Sequence, residues 1–192
     1  LSLHDALPIS YRSINWKQSA KARELMVNMY GYTTDSRVKI MLNLDNDYMI
    51  ETDKLLEEAI SLTSSIARFL LGKGIIVSVV SNGTDISGNK LPDINEGAEK
   101  RHGITIDRML TEISGSEGKE AFLGYLRNEV DHPRDDTLYL IISPYAKQDI
   151  LGLLDKMNES RSSVSMIVPC YDEYPFVTNR AYTVGWEVPI NV

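Results

Sequence analysis

The residues best suited to chemistry follow the first strongly apolar run of the chain. Asn43, Asp45 and Asp47 occupy alternate positions directly after that run, and all three carry side-chain oxygens. Hard divalent cations such as Mg²⁺ prefer oxygen ligands and often take one or two carboxylates together with water. The spacing therefore makes these three residues a candidate magnesium site. The alternative is a simple turn, because Asn and Asp side chains hydrogen-bond their own backbone in turns.

A second polar loop, residues 81–85, follows the next apolar run and could add ligands. Ser81 and Thr84 offer hydroxyl oxygens, and Asp85 offers a carboxylate. Turn formation explains this composition equally well, since Ser, Asn, Gly and Asp are the residues that turns favour. Both interpretations of the loop stay open on the sequence alone.

Several common catalytic and phosphate-binding motifs are missing from the chain. It contains no G-x-G-x-x-G, no G-x-x-x-x-G-K-[ST] and no G-x-S-x-G, so dinucleotide sites, P-loops and nucleophile elbows are unsupported. His4, His102 and His132 are scattered, and Cys170 has no histidine at motif spacing. A nucleophile needs an activating base or a lowered pKa. We therefore expect surface histidines and a structural cysteine.

The hydrophobic pattern predicts the elements that would position the polar residues. Short apolar runs predict strands at 25–34, 37–44, 75–80, 137–142 and 163–168, the last one broken by Pro169, and an edge strand at 181–188. Helical spacing predicts helices from 52 to about 71, at 99–113, at 117–128 and up to about 158, the last capped by Ser143 with Pro144 at its first position. The first two strands are close enough in sequence to pair antiparallel. This alternation predicts an α/β fold, a doubly wound and mostly parallel sheet flanked by helices, with an antiparallel edge strand.

Length and composition exclude several classes of protein. With 192 residues the chain suits one α/β domain. Its net charge of −7 argues against a nucleic-acid partner. Its apolar runs are far shorter than the roughly 20 residues that a membrane helix needs. A single cysteine excludes an internal disulfide and fits a reducing compartment.

The first residues look foreign to the rest of the chain. The opening sequence resembles a translated sequencing adapter, and the first methionine is Met26. We interpret residues 1–10 as a non-native leader and residues 11–192 as one domain. On this interpretation the domain is the C-terminal part of a longer protein.

Residues 12–20 combine basic side chains with a tryptophan, an arrangement that favours packing against another segment. The motif consists of Arg12, Ile14, Asn15, Trp16, Lys17, Ser19 and Ala20. Together with the strands at 38–42 and 138–142, the helix near 56–61 and the loop ending at Gly83, it resembles the domain-of-unknown-function fifty-eight family. These are bacterial proteins related to von Willebrand factor A domains. The likeness covers nearly the whole chain after residue 10.

The resemblance implies a protein-interaction domain rather than an enzyme. Such proteins carry two membrane helices upstream of a cytoplasmic A-type domain, and their genes accompany MoxR-type AAA+ ATPases, which implies an adaptor or chaperone role with an ATPase partner. A-type domains bind metal through D-x-S-x-S after the first central strand. Here Asn43, Asp45 and Asp47 stand at those positions, so the resemblance implies a degenerate metal site. The alternative function is a Mg²⁺-dependent hydrolase that uses Asp45 and Asp47, because carboxylates at a strand end also build phosphoryl-transfer sites.

Overall fold

A six-stranded sheet organises the part of the chain that the structure describes. The structure is a computed structural model, and it describes residues 37–45, 53–160 and 162–190. The strands are β1 Arg37–Leu42, β2 Ile76–Ser81, β3 Gly83–Thr84, β4 Ile94–Gly97, β5 Gly115–Ser116, β6 Thr137–Ile142, β7 Ser163–Tyr171 and β8 Thr183–Val188. The helices are α1 Asp53–Gly72, α2 Lys100–Thr111, α3 Lys119–Asp131 and α4 Gln148–Glu159. The main sheet has the order β4-β2-β1-β6-β7-β8, and β3 pairs with β5 in a small second sheet.

The sheet is mostly parallel, as the sequence predicts. Strand β1 lies between β2 and β6 and pairs parallel with both, so that Ile40 stands beside Val79 on one side and Leu140 on the other. Strand β4 pairs antiparallel with β2 at one edge, and β8 forms the other edge. Strand β1, the first strongly apolar run of the sequence, is therefore a central strand of the sheet. The predicted strand at 25–34 and its pairing lie outside the described residues.

Helices cover both faces of the sheet, which makes the fold doubly wound. On one face, Ile40 and Leu42 of β1 pack in a core with residues of α1 and α2. On the other face, Met41 and Ile141 pack in a core with residues of α3 and α4. Every residue of β6 is buried, as expected for a strand between two helical layers. None of these helices, within the described ranges, has the length and apolarity that crossing a bilayer requires.

Helix α1 buries one face along its whole length. Leu55, Ala59, Leu62, Ile66 and Leu70 are buried at three- and four-residue intervals, the spacing that places side chains on one helix face. The helix ends at Gly72, and Gly74 follows with a φ of 75°, a left-handed conformation that glycine adopts without steric cost.

Two predicted element boundaries are wrong. Helix α4 begins at Gln148 after Lys147 rather than at Pro144, because the Ser143 hydroxyl accepts a hydrogen bond from the Tyr145 N–H in a local turn. Strand β7 continues through Pro169 to Tyr171. It can do so because its pairing with β6 ends at Ile167, so that beyond this point β7 has only β8 beside it.

Candidate functional site

The carboxyl ends of three parallel strands bring three buried polar residues together. Asn43 follows β1, Asn82 follows β2 and Ser143 follows β6, and all three are fully buried. The backbone continues the sheet at this point, since the Asn43 N–H donates to the Ile142 carbonyl at 2.9 Å. We call this end of the sheet the carboxyl edge. Ligands of open α/β sheets bind outside this edge.

Two asparagine side chains form the floor of the carboxyl edge. Asn43 Oδ1 accepts hydrogen bonds from Asn82 Nδ2 at 3.0 Å and from the Asp45 N–H at 3.1 Å. Asn43 Nδ2 donates to Ser143 Oγ at 2.9 Å. Asn82 Oδ1 accepts from the Leu44 N–H at 2.8 Å. Because a backbone N–H can only donate, these bonds fix which end of each amide is oxygen.

A loop between α2 and α3 completes the floor. Ser116 Oγ donates to Asp45 Oδ1 at 3.3 Å and accepts from Asn82 Nδ2 at 3.1 Å. Gly118 contributes its carbonyl oxygen, 3.4 Å from Asn82 Nδ2, and its φ of 92° suits glycine. Ser116 is not among the residues that the sequence predicts for this site. The one indication of its role in the sequence is the turn-forming composition of residues 115–118, Gly-Ser-Glu-Gly.

The small β3–β5 sheet holds Ser116 in place. Gly83 pairs with Ser116 and Thr84 with Gly115, and the Glu117 N–H donates to the Asn82 carbonyl at 2.8 Å. A Cβ on residue 115 would meet Thr84 Oγ1 at 2.8 Å, so a larger residue there would have to displace the Thr84 side chain.

The structure brings part of the predicted metal site together. Asn43 and Asp45 share the floor, whereas Asp47 lies outside the described residues, so the three-residue metal site stays a prediction. Ser81 Oγ accepts from the Gly83 N–H at 2.9 Å and Thr84 packs against Gly115, so the contacts described for both hydroxyls are turn and strand contacts. Within the described ranges no three His, Cys, Asp or Glu side chains are grouped as a metal site.

The floor does not fit a divalent cation in this arrangement. Asn82 Nδ2 lies among four oxygens at 3.0–3.4 Å, which are hydrogen-bond distances, whereas Mg²⁺ binds oxygens at about 2.1 Å. An amide nitrogen therefore fills the space between the oxygens of Asn43, Asp45, Ser116 and Gly118.

Three lysines lie over tyrosine rings close in the chain to the segments that form the floor. Lys119 and Lys147 lie 5.6 and 5.5 Å from the ring centre of Tyr145, and Lys90 lies 4.3 Å from that of Tyr125, within the range of cation–π attraction. A hydrogen bond to Asp149 raises the pKa of Lys119, so this lysine is positively charged at neutral pH. We call Lys90, Lys119 and Lys147 the lysine rim.

A rigid hairpin presents an isoleucine beside the lysine rim. The hairpin leaves the sheet after β2, and its base is the bridge between Thr84 and Lys90. Asp85 Oδ1 accepts from the Ser87 and Asn89 N–H groups at 2.8 and 2.9 Å, and hydrogen bonds from Asn89 lower the pKa of Asp85. Next to this carboxylate, Ile86 is 92% exposed.

Other predicted residues lie away from the carboxyl edge or outside the described chain. Cys170 is a buried residue of β7, and burial raises the pKa of its thiol. A raised pKa disfavours the thiolate, which is the reactive form of cysteine. A cavity of about 440 Å³ lies between β7, β8 and residues 176–182, and it contains none of the predicted site residues. The motif at 12–20 lies outside the described residues.

The solved structures that match this chain include three at low sequence identity. The conserved hypothetical protein BatB from Bacteroides thetaiotaomicron matches 77% of this chain and 73% of its own, with 16% identity and a TM-score of 0.48. A von Willebrand factor type A protein from Catenulispora acidiphila matches 71% of this chain and 34% of its own, with 7% identity and a TM-score of 0.45. The VWA domain of SpRpn10 matches 80% of this chain and 88% of its own, with 10% identity and a TM-score of 0.46. No protein-family model and no curated protein sequence matches the chain.

Proposed function

We propose that this domain is a protein-interaction module that binds its partner at the carboxyl edge. The observation that carries the proposal is Ile86, an almost fully exposed isoleucine on a hairpin tip fixed by Asp85. A rigid apolar side chain costs little conformational entropy to bury against a partner. Binding residues are often placed in this way, on loops held by a rigid scaffold.

The lysine rim defines the chemistry of the partner. Three lysines lie over tyrosine rings in a chain whose net charge is −7, and two of them also pair with carboxylates, Lys90 with Asp93 and Lys119 with Asp149. Complementary charge steers association and fixes orientation. We therefore expect a partner that combines an apolar recess for Ile86 with acidic groups able to compete for these lysines.

The resemblance carried by residues 12–20 supports an AAA+ ATPase of the MoxR type as this partner, with the domain acting as adaptor or chaperone. It also supports a cytoplasmic domain on a membrane-associated bacterial protein. The upstream reading frame tests the second point, because two hydrophobic segments there support membrane association and a start codon near Tyr11 contradicts it.

The hydrolase alternative has weaker support. Asp45 accepts a hydrogen bond from Ser116 and lies beside Asn82, so its described contacts hold the floor together. Metal-assisted hydrolysis needs carboxylates that can approach a cation and a general base beside it. The described residues of the carboxyl edge provide no histidine, and their carboxylate is engaged by neighbours.

A binding measurement with two matched isoleucine variants tests the proposal. The full-length protein is titrated with the purified MoxR-type ATPase of its own genome. Ile86→Ser removes the exposed hairpin side chain, and Ile104→Ser is the control, since Ile104 is 68% exposed on α2. We expect Ile86→Ser to weaken binding about tenfold, the effect of a central apolar contact, and Ile104→Ser to leave it unchanged. Absence of binding by the unmodified protein, or equal loss in both variants, would contradict the proposal.

A further inference from the structure

The centre of the carboxyl-edge floor holds a nitrogen atom surrounded by oxygens. Asn82 Nδ2 lies 3.0 Å from Asn43 Oδ1, 3.1 Å from Ser116 Oγ, 3.4 Å from Asp45 Oδ2 and 3.4 Å from the Gly118 carbonyl oxygen. These oxygens come from two segments of the chain, residues 43–45 after β1 and residues 116–118 in and after β5. The nitrogen, which follows β2, is thus the common partner of both segments.

The orientation of the Asn82 amide is set by the backbone. Its oxygen accepts from the Leu44 N–H at 2.8 Å, so the nitrogen must point toward the four oxygens. Asn43 is oriented in the same way by the Asp45 N–H. Turning either amide around would place two donors or two acceptors against each other in a fully buried site.

The amide has the size and polarity to replace a cation here. An NH₂ group carries two hydrogens with partial positive charge, and shared hydrogen bonds can serve more than two acceptors. A divalent cation would require the oxygens to close in to about 2.1–2.6 Å. The amide nitrogen also offers a cation no lone pair, because an amide NH₂ group acts as a donor only.

We infer that Asn82 is a built-in substitute for a metal ion, and that its amide nitrogen closes the carboxyl edge without any cation. Asn43 belongs to the same hydrogen-bond arrangement, because its neutral amide oxygen suits the neutral amide donor of Asn82. The integrity of the edge then depends on residue 82 and not on divalent cations. This inference stands independently of the partner proposed above.

Thermal unfolding of the full chain tests the inference through Asn82→Asp. The substitution keeps the shape of the side chain but turns the central donor into an acceptor with a negative charge beside Asp45. We expect a loss of roughly 10 °C in Tm, since a buried charge loses its compensation. Millimolar Mn²⁺ should recover part of this loss, because the site then holds two carboxylates and no competing nitrogen.

The unmodified chain and a matched variant provide the controls. The Tm of the unmodified chain should be the same in chelator, in Mg²⁺ and in Mn²⁺. Asn179→Asp makes the same change at an exposed residue of the loop before β8, and it should unfold like the unmodified chain under each condition. If Asn82→Asp does not fold, Asn82→Ala serves instead, and it should lower the Tm because the oxygens lose their donor.

Three results would overturn the inference. The first is a Tm of the unmodified chain that falls in chelator or rises with Mg²⁺ or Mn²⁺. The second is an Asn82→Asp variant as stable as the unmodified chain without cations. The third is a cation response of Asn179→Asp equal to that of Asn82→Asp, which would place the effect outside the floor. Partner binding enters none of these readouts, so a failed partner proposal leaves them interpretable.

Discussion

A single carboxylate joins α4 to the loop before β8. Arg180 donates from Nε and Nη2 to Asp155 at 2.9 and 2.8 Å, and the Tyr182 hydroxyl donates to the same carboxylate. The hydrogen bond from Arg180 lowers the pKa of Asp155. Two parallel bonds of this kind fix geometry more firmly than a single surface ion pair. This residue therefore anchors the edge strand through one side chain.

We expect Asp155→Asn to lower the Tm by roughly 2–4 °C at pH 7, since the carboxylate is 36% exposed and solvent screens its charge. A carboxyl whose pKa is lower in the folded state stabilises the fold above its unfolded pKa of about 3.9. The contribution is lost as the pH falls through the folded pKa. Thermal unfolding from pH 7 to pH 3 should show the two proteins converging in acid.

The control for this residue is Asp135→Asn in the exposed loop before β6. It should match the unmodified chain across the whole pH range. A constant difference between Asp155→Asn and the unmodified chain down to pH 3 would show that the carboxylate acts through shape rather than charge.

The sequence predicted part of the candidate site at the residue level. Asn43 and Asp45 lie at the carboxyl edge because a buried parallel strand must end there, and the apolar run marks that strand. Ser116 was missed because its role depends on the two-residue pairing of β3 with β5, which is too short to leave a periodic signal. Asn82 lay inside a predicted loop, but its central place follows from its contacts with two distant segments, residues 43–45 and 116–118.

Two glycines show how the elements tolerate substitution. Gly97 ends β4 against the ring of His102, where a Cβ would lie 2.5 Å from the imidazole. That ring also bonds the Val77 carbonyl at 2.9 Å, so it connects α2 with β2. Gly124 lies in the exposed middle of α3, and a Cβ there would meet nothing within 4 Å.

Alanine at these two positions should act in opposite directions. Gly124→Ala should raise the free energy of unfolding by about 1 kcal/mol, because alanine loses less backbone entropy in a helix. Gly97→Ala should lower it by about 1–3 kcal/mol, because the added methyl group displaces the His102 ring. Urea unfolding of both variants measures the two values. Equal effects of one sign would contradict the described packing.

The sequence predicted long elements better than short ones. The helix after residue 52 and the strand at 137–142 have strong periodicity or continuous apolarity, and their bounds were close to those observed. Strand β4 was missed because Ile94 is its one buried residue and an edge pairing needs no more. Pro169 was read as a break because sequence alone does not reveal that β7 has lost its neighbour β6 at that point.

At the scale of the molecule, charge is distributed unevenly. The chain is acidic overall, yet the lysine rim stands around the carboxyl edge. Such a local field accelerates the approach of an acidic partner more than it strengthens the final complex. A protein partner rather than a nucleic acid stays a prediction, and it rests on the net charge of −7.

We expect the association rate with the ATPase to fall about tenfold or more between 50 and 500 mM salt, as screening shortens the reach of the lysine charges. Lys147→Glu should reduce the rate at low salt and flatten this dependence. Lys100→Glu is the matched control, because it makes the same change in charge at the start of α2. Stopped-flow or surface-based kinetics measures these rates. Equal association rates of the two variants would contradict a role of the lysine rim in association.

We propose that the carboxyl edge is a closed binding surface and not a cation-dependent catalytic site. Calorimetric titration of Mn²⁺ and Mg²⁺ into the full-length protein tests it most directly, because both the hydrolase and a metal-bridged interaction need a bound ion. We predict no saturable heat up to millimolar cation. A saturable one-to-one isotherm that disappears in an Asp45→Asn variant would contradict the account.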